Sequence, residues 1–133
     1  MLDRFERTIN YLRISVTDRC NLRCRYCMPA EGVKLIRHED ILTYDEITEF
    51  TRVAVAAGIN KVRVTGGEPL VRKGVTSLIA MLSAIEGISD LSMSTNGILL
   101  ADYAGKLAEA GMMRVNISLD TLDGCLLYTS DAA

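Results

Sequence analysis

A chain of 133 residues is long enough for one small domain with a buried core and short for a barrel that closes on itself. Hydrophobic residues at 49% and charged residues at 24% exclude a disordered or low-complexity chain, and a formal net charge of −2 gives no electrostatic reason to expect nucleic acid or an anionic membrane as partner. Met1-Leu2-Asp3-Arg4 lacks the succession of a secretory signal and no apolar run reaches spanning length, so a cytoplasmic protein is expected.

In chain order, Tyr11 to Val16 comes first, with apolar Leu12, Ile14 and Val16 alternating with polar Arg13 and Ser15 at the period of a strand. After the cysteine segment, Thr43-x-x-Glu46 has the spacing of a capping box. Tyr44, Ile47, Phe50, Val53, Ala54 and Ala57 then predict one apolar helical face, closed by Gly58. Lys61 to Thr65 predicts a second strand and Gly66-Gly67-Glu68-Pro69 a turn. Val75, Leu78, Ile79, Leu82 and Ile85 space a second helix, and Leu91 to Thr95 predicts a third strand that Asn96-Gly97 breaks. Leu100, Tyr103, Leu107 and Ala110 mark a third helix ending at Gly111, before a fourth strand over Arg114 to Asp120.

Strands separated by single helices imply parallel βα units, so the fold class is α/β. Each strand divides into two faces. Leu12, Ile14, Val16, Val62, Val64, Leu91, Met93, Val115, Ile117 and Leu119 must meet the helices. The other face carries Arg13, Ser15, Arg63, Thr65, Ser92, Ser94, Asn116, Ser118 and Asp120. A closed eight-stranded barrel fills its interior with Val, Ile and Leu, so this polar lining predicts an open or partial barrel that holds a polar ligand.

Cys20-x3-Cys24-x2-Cys27 lies on the loop after the first strand, at the end of a parallel barrel where active sites assemble. Three thiolates suit three irons of a cubane cluster and leave the fourth iron open to a ligand that is not protein. Two other readings stay open on spacing alone: a zinc site completed by His38, the only histidine, and a Cys24 to Cys27 disulfide.

Cys-x3-Cys-x2-Cys with Tyr26 before its last cysteine resembles the signature of the radical S-adenosylmethionine (SAM) superfamily, and Gly66-Gly67-Glu68-Pro69 resembles its second element, which meets the methionine ammonium of SAM. The run from Leu12 to Pro29, with Val62 to Leu70, Ser94-Thr95-Asn96-Gly97 and Asn116 to Asp120, resembles the GTP 3′,8-cyclase family of molybdenum cofactor biosynthesis over about Tyr11 to Asp123. The resemblance implies a partial parallel (β/α) barrel of the radical SAM type, truncated after about four strands. It implies a [4Fe-4S] cluster on Cys20, Cys24 and Cys27, with SAM chelated to the open iron. An electron from an external reductant breaks SAM to a 5′-deoxyadenosyl radical that takes hydrogen from C3′ of GTP, giving 3′,8-cyclo-7,8-dihydro-GTP.

Carried over by motif, Tyr26, Gly67 and Ser118 would contact SAM, and Arg13, Arg63 and Ser94 would contact GTP. Ser94 stands where the family usually has threonine and keeps the hydroxyl. No catalytic side chain is assigned. Another radical SAM activity, such as a peptide-modifying maturase, would share the cysteine loop but give no reason for two inward arginines. A zinc-stabilised binding module would need only Cys20, Cys24 and Cys27, with His38.

The family's longer members form a homodimer and carry a second cluster on three more cysteines, whereas Cys125 is the one cysteine left here. Residues 1–124 are therefore expected to be the N-terminal part of a radical SAM core domain, able to bind the first cluster and SAM but not to cyclise GTP alone. Residues 125–133 resemble translated sequencing adaptor and are expected to be a non-native tail.

Overall fold

The alternating apolar residues form four strands, β1 (Tyr11–Ser15), β2 (Lys61–Thr65), β3 (Asp90–Thr95) and β4 (Arg114–Ile117). The helical periods form α1 (Tyr44–Ala56), α2 (Val75–Ser83) and α3 (Leu100–Glu109). These elements come from a computed structural model, which describes residues 2, 4–24, 27 and 34–119. Tyr26, Asp120, Cys125 and the expected tail 125–133 lie outside the described residues, as does the His38 side chain.

The strands pair in parallel in the order β1-β2-β3-β4, each neighbour reached through one helix except β1, whose connection to β2 also carries the cysteine loop. This is the α/β architecture that the element order predicts, an open four-stranded sheet among the described residues. The register aligns Leu12 with Val62 and Leu91, and Ile14 with Val64, Met93 and Val115. Val62, Val64, Leu91 and Met93 are fully buried and pack with Val75, Leu78, Ile79, Leu82 and Leu107 from α2 and α3 in one core. The expected apolar faces of α2 and α3 are those observed, with Leu100, Tyr103 and Ala110 partly buried against that core.

Three expectations are corrected. The inward face of α1 keeps Ile47, with Tyr44 and Ala54 partly buried against the core as expected, but adds Thr48 and Thr51, while Phe50 is 59% and Val53 70% exposed. Both threonines bury because each hydroxyl donates to the carbonyl one turn back, Thr48 to Tyr44 (2.7 Å) and Thr51 to Ile47 (2.7 Å), which removes the desolvation cost of a bare hydroxyl. The fourth strand ends at Ile117, not Asp120, because its partner β3 ends at Thr95, the residue paired with Ile117. Ile117 and Leu119, expected in the core, are 58% and 57% exposed, since β4 is the edge strand of the described sheet.

The capping box forms as its spacing predicts. Glu46 N–H donates to Thr43 Oγ1 (3.2 Å), and Thr43 N–H donates to Glu46 Oε2 (2.7 Å). Hydrogen bonds from the Thr43 backbone, then from its hydroxyl, hold the Glu46 carboxyl below its ordinary pKa. Its contribution is therefore complete above the ordinary carboxylate range and fades as the pH falls through the lowered value. Thr43→Ala is expected to cost about 1 kcal/mol, measured as a lower midpoint in urea unfolding at neutral pH.

Candidate functional site

The site forms at the carboxyl ends of the strands, where the cysteine segment leaves β1. Beyond Ser15, the chain continues alongside β2: Val16 N–H donates to Thr65 O (2.9 Å), Gly67 N–H to Thr17 O (2.8 Å) and Glu68 N–H to Arg19 O (2.8 Å). This pairing needs glycine. A Cβ on Gly66 would lie 2.5 Å from Thr17 O at a φ of +148°, and one on Gly67 would lie 2.7 Å from the Arg19 carbonyl carbon and closer still to its oxygen. The two glycines thus admit the backbone of the cysteine loop itself, a role beyond the close approach to a ligand that their sequence context suggests.

An acidic residue in the turn suits an ammonium ligand, yet Glu68 is 1% exposed and its carboxyl is taken up by the protein. Thr95 Oγ1 (2.7 Å) and Leu70 N–H (3.1 Å) donate to Oε1, and Asn96 N–H (2.7 Å) donates to Oε2. The side chain therefore ties the end of β2 to the end of β3. Asn96, read from sequence only as a strand breaker, is oriented by this tie and by Ile98 N–H donating to its Oδ1 (3.1 Å). Its amide nitrogen donates to Asn21 Oδ1 (2.8 Å) and stands 3.9 Å from Cys20 Sγ, which also accepts Leu22 N–H (3.4 Å).

A cavity of about 290 Å³ is lined by Cys20, Cys24 and Cys27 together with Arg13, Gly67, Ser94 and Ser118. Four of the motif residues, Arg13 on β1, Gly67 after β2, Ser94 on β3 and Ser118 just after β4, thus join the three cysteines. Arg63 is the exception. It pairs with Arg13 through the sheet register, but its Nε donates to Ser92 Oγ (3.3 Å) and its guanidinium stands 5.6 Å from the Tyr11 ring centroid, towards the other end of the strands. Arg13 is exposed and has no hydrogen-bond or ion-pair partner among the described residues.

The register also brings Arg114 into the row of Arg13, Arg63 and Ser92, a placement that the sequence reading missed although strand alternation could have found it. Arg114 is held by Asp90, whose hydrogen bond and charge raise the guanidinium pKa further.

The donor set can be tested against the groups that the motifs imply. Cys20, Cys24 and Cys27 are thiols, not disulfide halves, which removes the disulfide reading for the described cysteines. Among the described residues no three His, Cys, Asp or Glu side chains converge closely enough to hold one metal ion. A tetrahedral zinc at about 2.3 Å from each sulfur needs that convergence, whereas a cubane presents its irons at separate corners. Three thiols lining one cavity, with N–H groups facing Cys20, suit three irons of a cluster. No helix among the described residues is long and apolar enough to cross a membrane.

Comparison with known proteins agrees with this geometry. A family model described as the radical SAM superfamily matches residues 14–124. The chain is 58% identical over 122 residues to a GTP 3′,8-cyclase of Geobacter sulfurreducens, covering 92% of this chain and 37% of that protein. It is 62% identical over 122 residues to a GTP 3′,8-cyclase of Moorella thermoacetica, covering 92% and 38%. The chain thus spans little more than a third of the curated relatives it matches. Among solved structures, Streptococcus suis SuiB bound to S-adenosylmethionine superposes with a TM-score of 0.69 at 22% identity, over 88% of this chain and 26% of that one. BtrN in complex with AdoMet and 2-DOIA gives 0.61 at 21% identity, over 84% and 46%. At these identities the two structures establish the fold alone.

Proposed function

This chain belongs to the radical SAM superfamily, and from that premise we propose that it is the cluster- and SAM-binding part of a GTP 3′,8-cyclase of molybdenum cofactor biosynthesis. One observation carries the reading: a single cavity gathers Cys20, Cys24 and Cys27 with Arg13, Gly67, Ser94 and Ser118. The three thiols would hold a [4Fe-4S] cluster, with Leu22 N–H and the Asn96 amide placed to stabilise the negative charge of the Cys20 thiolate. When bound, cluster and SAM supply the one-electron chemistry that ends in removal of a hydrogen atom from the substrate.

The chain's own residues bind and orient. Gly67 offers backbone without a side chain in the way, and Ser118, at the end of β4, offers a hydroxyl across the cavity; with Tyr26 they would contact SAM. Arg13, Arg63 and Ser94 would contact GTP. An arginine on the cavity wall without a partner among the described residues suits a phosphate, to which guanidinium donates in a bidentate manner. Arg63 must swing away from Tyr11 and Ser92 to join it. An external reductant, and a homodimer as the assembled form, complete the proposal.

Anaerobic reconstitution with iron and sulfide, followed by electron paramagnetic resonance of the reduced protein, tests it. A four-iron signal that changes when SAM is added is the expected result. Bound zinc without a cluster signal would overturn it in favour of a zinc-stabilised module. With the cluster in place, Arg13→Ala is expected to weaken GTP binding about tenfold or more, since a charge-assisted hydrogen bond contributes about 1.5–3 kcal/mol. GTP affinity equal in both proteins would favour another radical SAM activity.

A further inference from the structure

Arg72 is not among the motif residues, and it does not line the cysteine cavity. It sits just after the Gly-Gly-Glu-Pro turn, at the end of the short 3-10 segment Pro69–Val71, half-buried. Its guanidinium joins two places far apart in the chain. Nη1 donates to Val16 O (2.7 Å) and Nη2 donates to Leu42 O (2.6 Å), while its Cζ lies 4.3 Å from the centroid of the Tyr44 ring. Tyr44 is held in turn by its hydroxyl donating to Lys73 O (2.9 Å). Val16 is the last residue before the cysteine loop leaves β1, and Leu42 is the last before the Thr43 cap that starts α1. One side chain therefore grips both the entry and the exit of residues 17–41, the segment that carries all three cysteines.

We propose that Arg72 is a positioning residue, a clasp that closes the base of the cysteine loop and sets how firmly that loop holds its metal group. The Arg72 guanidinium donates to both carbonyls, and only a planar fork with separate donors reaches both at once. Fixing the two ends of a long loop removes chain entropy that the loop would otherwise have to lose when three thiolates converge on one group. The second hold on the same segment, Ile36 N–H donating to Asp18 Oδ2 (2.6 Å), lies inside the clasp and narrows the loop further. The inference rests on the cysteine loop being the cluster loop, as proposed above.

The test uses the chain reconstituted anaerobically with iron and sulfide, as wild type, Arg72→Met, Arg72→Lys and Ile79→Val. The last variant removes one buried methyl group from the core face of α2, away from Val16, Leu42 and Tyr44, and so reports what loss of stability alone does. The expected result is several-fold faster loss of iron to a chelator in Arg72→Met and an intermediate rate in Arg72→Lys, whose ammonium reaches one carbonyl at a time. In the iron-free protein, amide hydrogen exchange should quicken in residues 17–24 and 34–42 of Arg72→Met while β2, β3 and α2 keep their protection. Wild-type rates of iron loss and loop exchange in a folded Arg72→Met overturn the clasp, as does an equal acceleration in Ile79→Val. If Arg72→Met does not fold, Arg72→Lys decides in the same way. Failure of every variant, wild type included, to take up iron sinks the cluster reading instead, and the exchange measurement on the iron-free chain still decides the clasp.

Discussion

Gly67→Ala is expected to reduce iron-sulfur uptake to background while the helical content of the chain persists. The new methyl group would meet the Arg19 carbonyl, 2.7 Å from its carbon, with Asp18 O at 3.1 Å. Those atoms are backbone and cannot step aside as the end of a flexible side chain does. The cysteine loop must lift off β2, which breaks the hydrogen bonds from Gly67 N–H to Thr17 O and from Glu68 N–H to Arg19 O just ahead of Cys20. Overpacking of this kind costs about 1–3 kcal/mol, enough to misplace the first thiol without unfolding the core. Iron and acid-labile sulfide assayed after reconstitution, beside far-ultraviolet circular dichroism, give the two readouts. Gly105→Ala is the matched control, because Gly105 lies within α3 with nothing within 4 Å of an added Cβ. It should bind as much iron as the wild type and unfold at slightly higher urea, since alanine in a helix interior is favoured over glycine by about 1 kcal/mol. Normal iron content in Gly67→Ala would show that the loop does not depend on this close approach.

Glu68→Gln is the second large expected effect, and it comes from a side chain nearly identical in shape. Oε1 accepts from the Thr95 hydroxyl and Leu70 N–H, and Oε2 accepts from Asn96 N–H. A glutamine has one acceptor oxygen, so its NH2 must face either Leu70 N–H or Asn96 N–H, and one buried donor loses its partner in both orientations. The expected penalty is about 1–3 kcal/mol, read as a lower urea midpoint. A second consequence separates this from general weakening. If the NH2 displaces Asn96, the Asn96 amide moves from Asn21 Oδ1 and from Cys20 Sγ, so the reconstituted cluster should lose hydrogen-bond donation to one sulfur and its midpoint potential should fall. An unchanged midpoint in urea together with an unchanged potential would refute the role given to Glu68.

Much of this was legible in the chain itself, for reasons that are local. Strand alternation at Val62, Val64, Leu91 and Met93 and helical spacing at Val75, Leu78, Ile79 and Leu82 identify the core, because a side chain's face follows from its position in the period. The parallel order follows from one helix between successive strands, and the capping box at Thr43 and Glu46 from its spacing. The gathering of Cys20, Cys24 and Cys27 with Arg13, Gly67, Ser94 and Ser118 also follows, since all lie at or near strand ends that a parallel sheet sets side by side.

Other features depend on which element lies against which, and no period encodes that. Phe50 and Val53 belong to the apolar count of α1, yet the helix turns Thr48 and Thr51 inward because their hydroxyls find carbonyl partners one turn back. Ile117 and Leu119 alternate correctly and are still exposed, because β4 is the edge strand of the described sheet. Glu68 is an acidic turn residue until the end of β3 brings the Thr95 hydroxyl and Asn96 N–H within reach, and Arg72 reads as a surface charge until Val16 and Leu42, distant in sequence, present their carbonyls together. Periodicity and motif spacing are properties of neighbouring residues and so survive in the sequence. Hydrogen bonds between distant segments exist only once the sheet has closed the distance, and they decide how the cysteine loop is held.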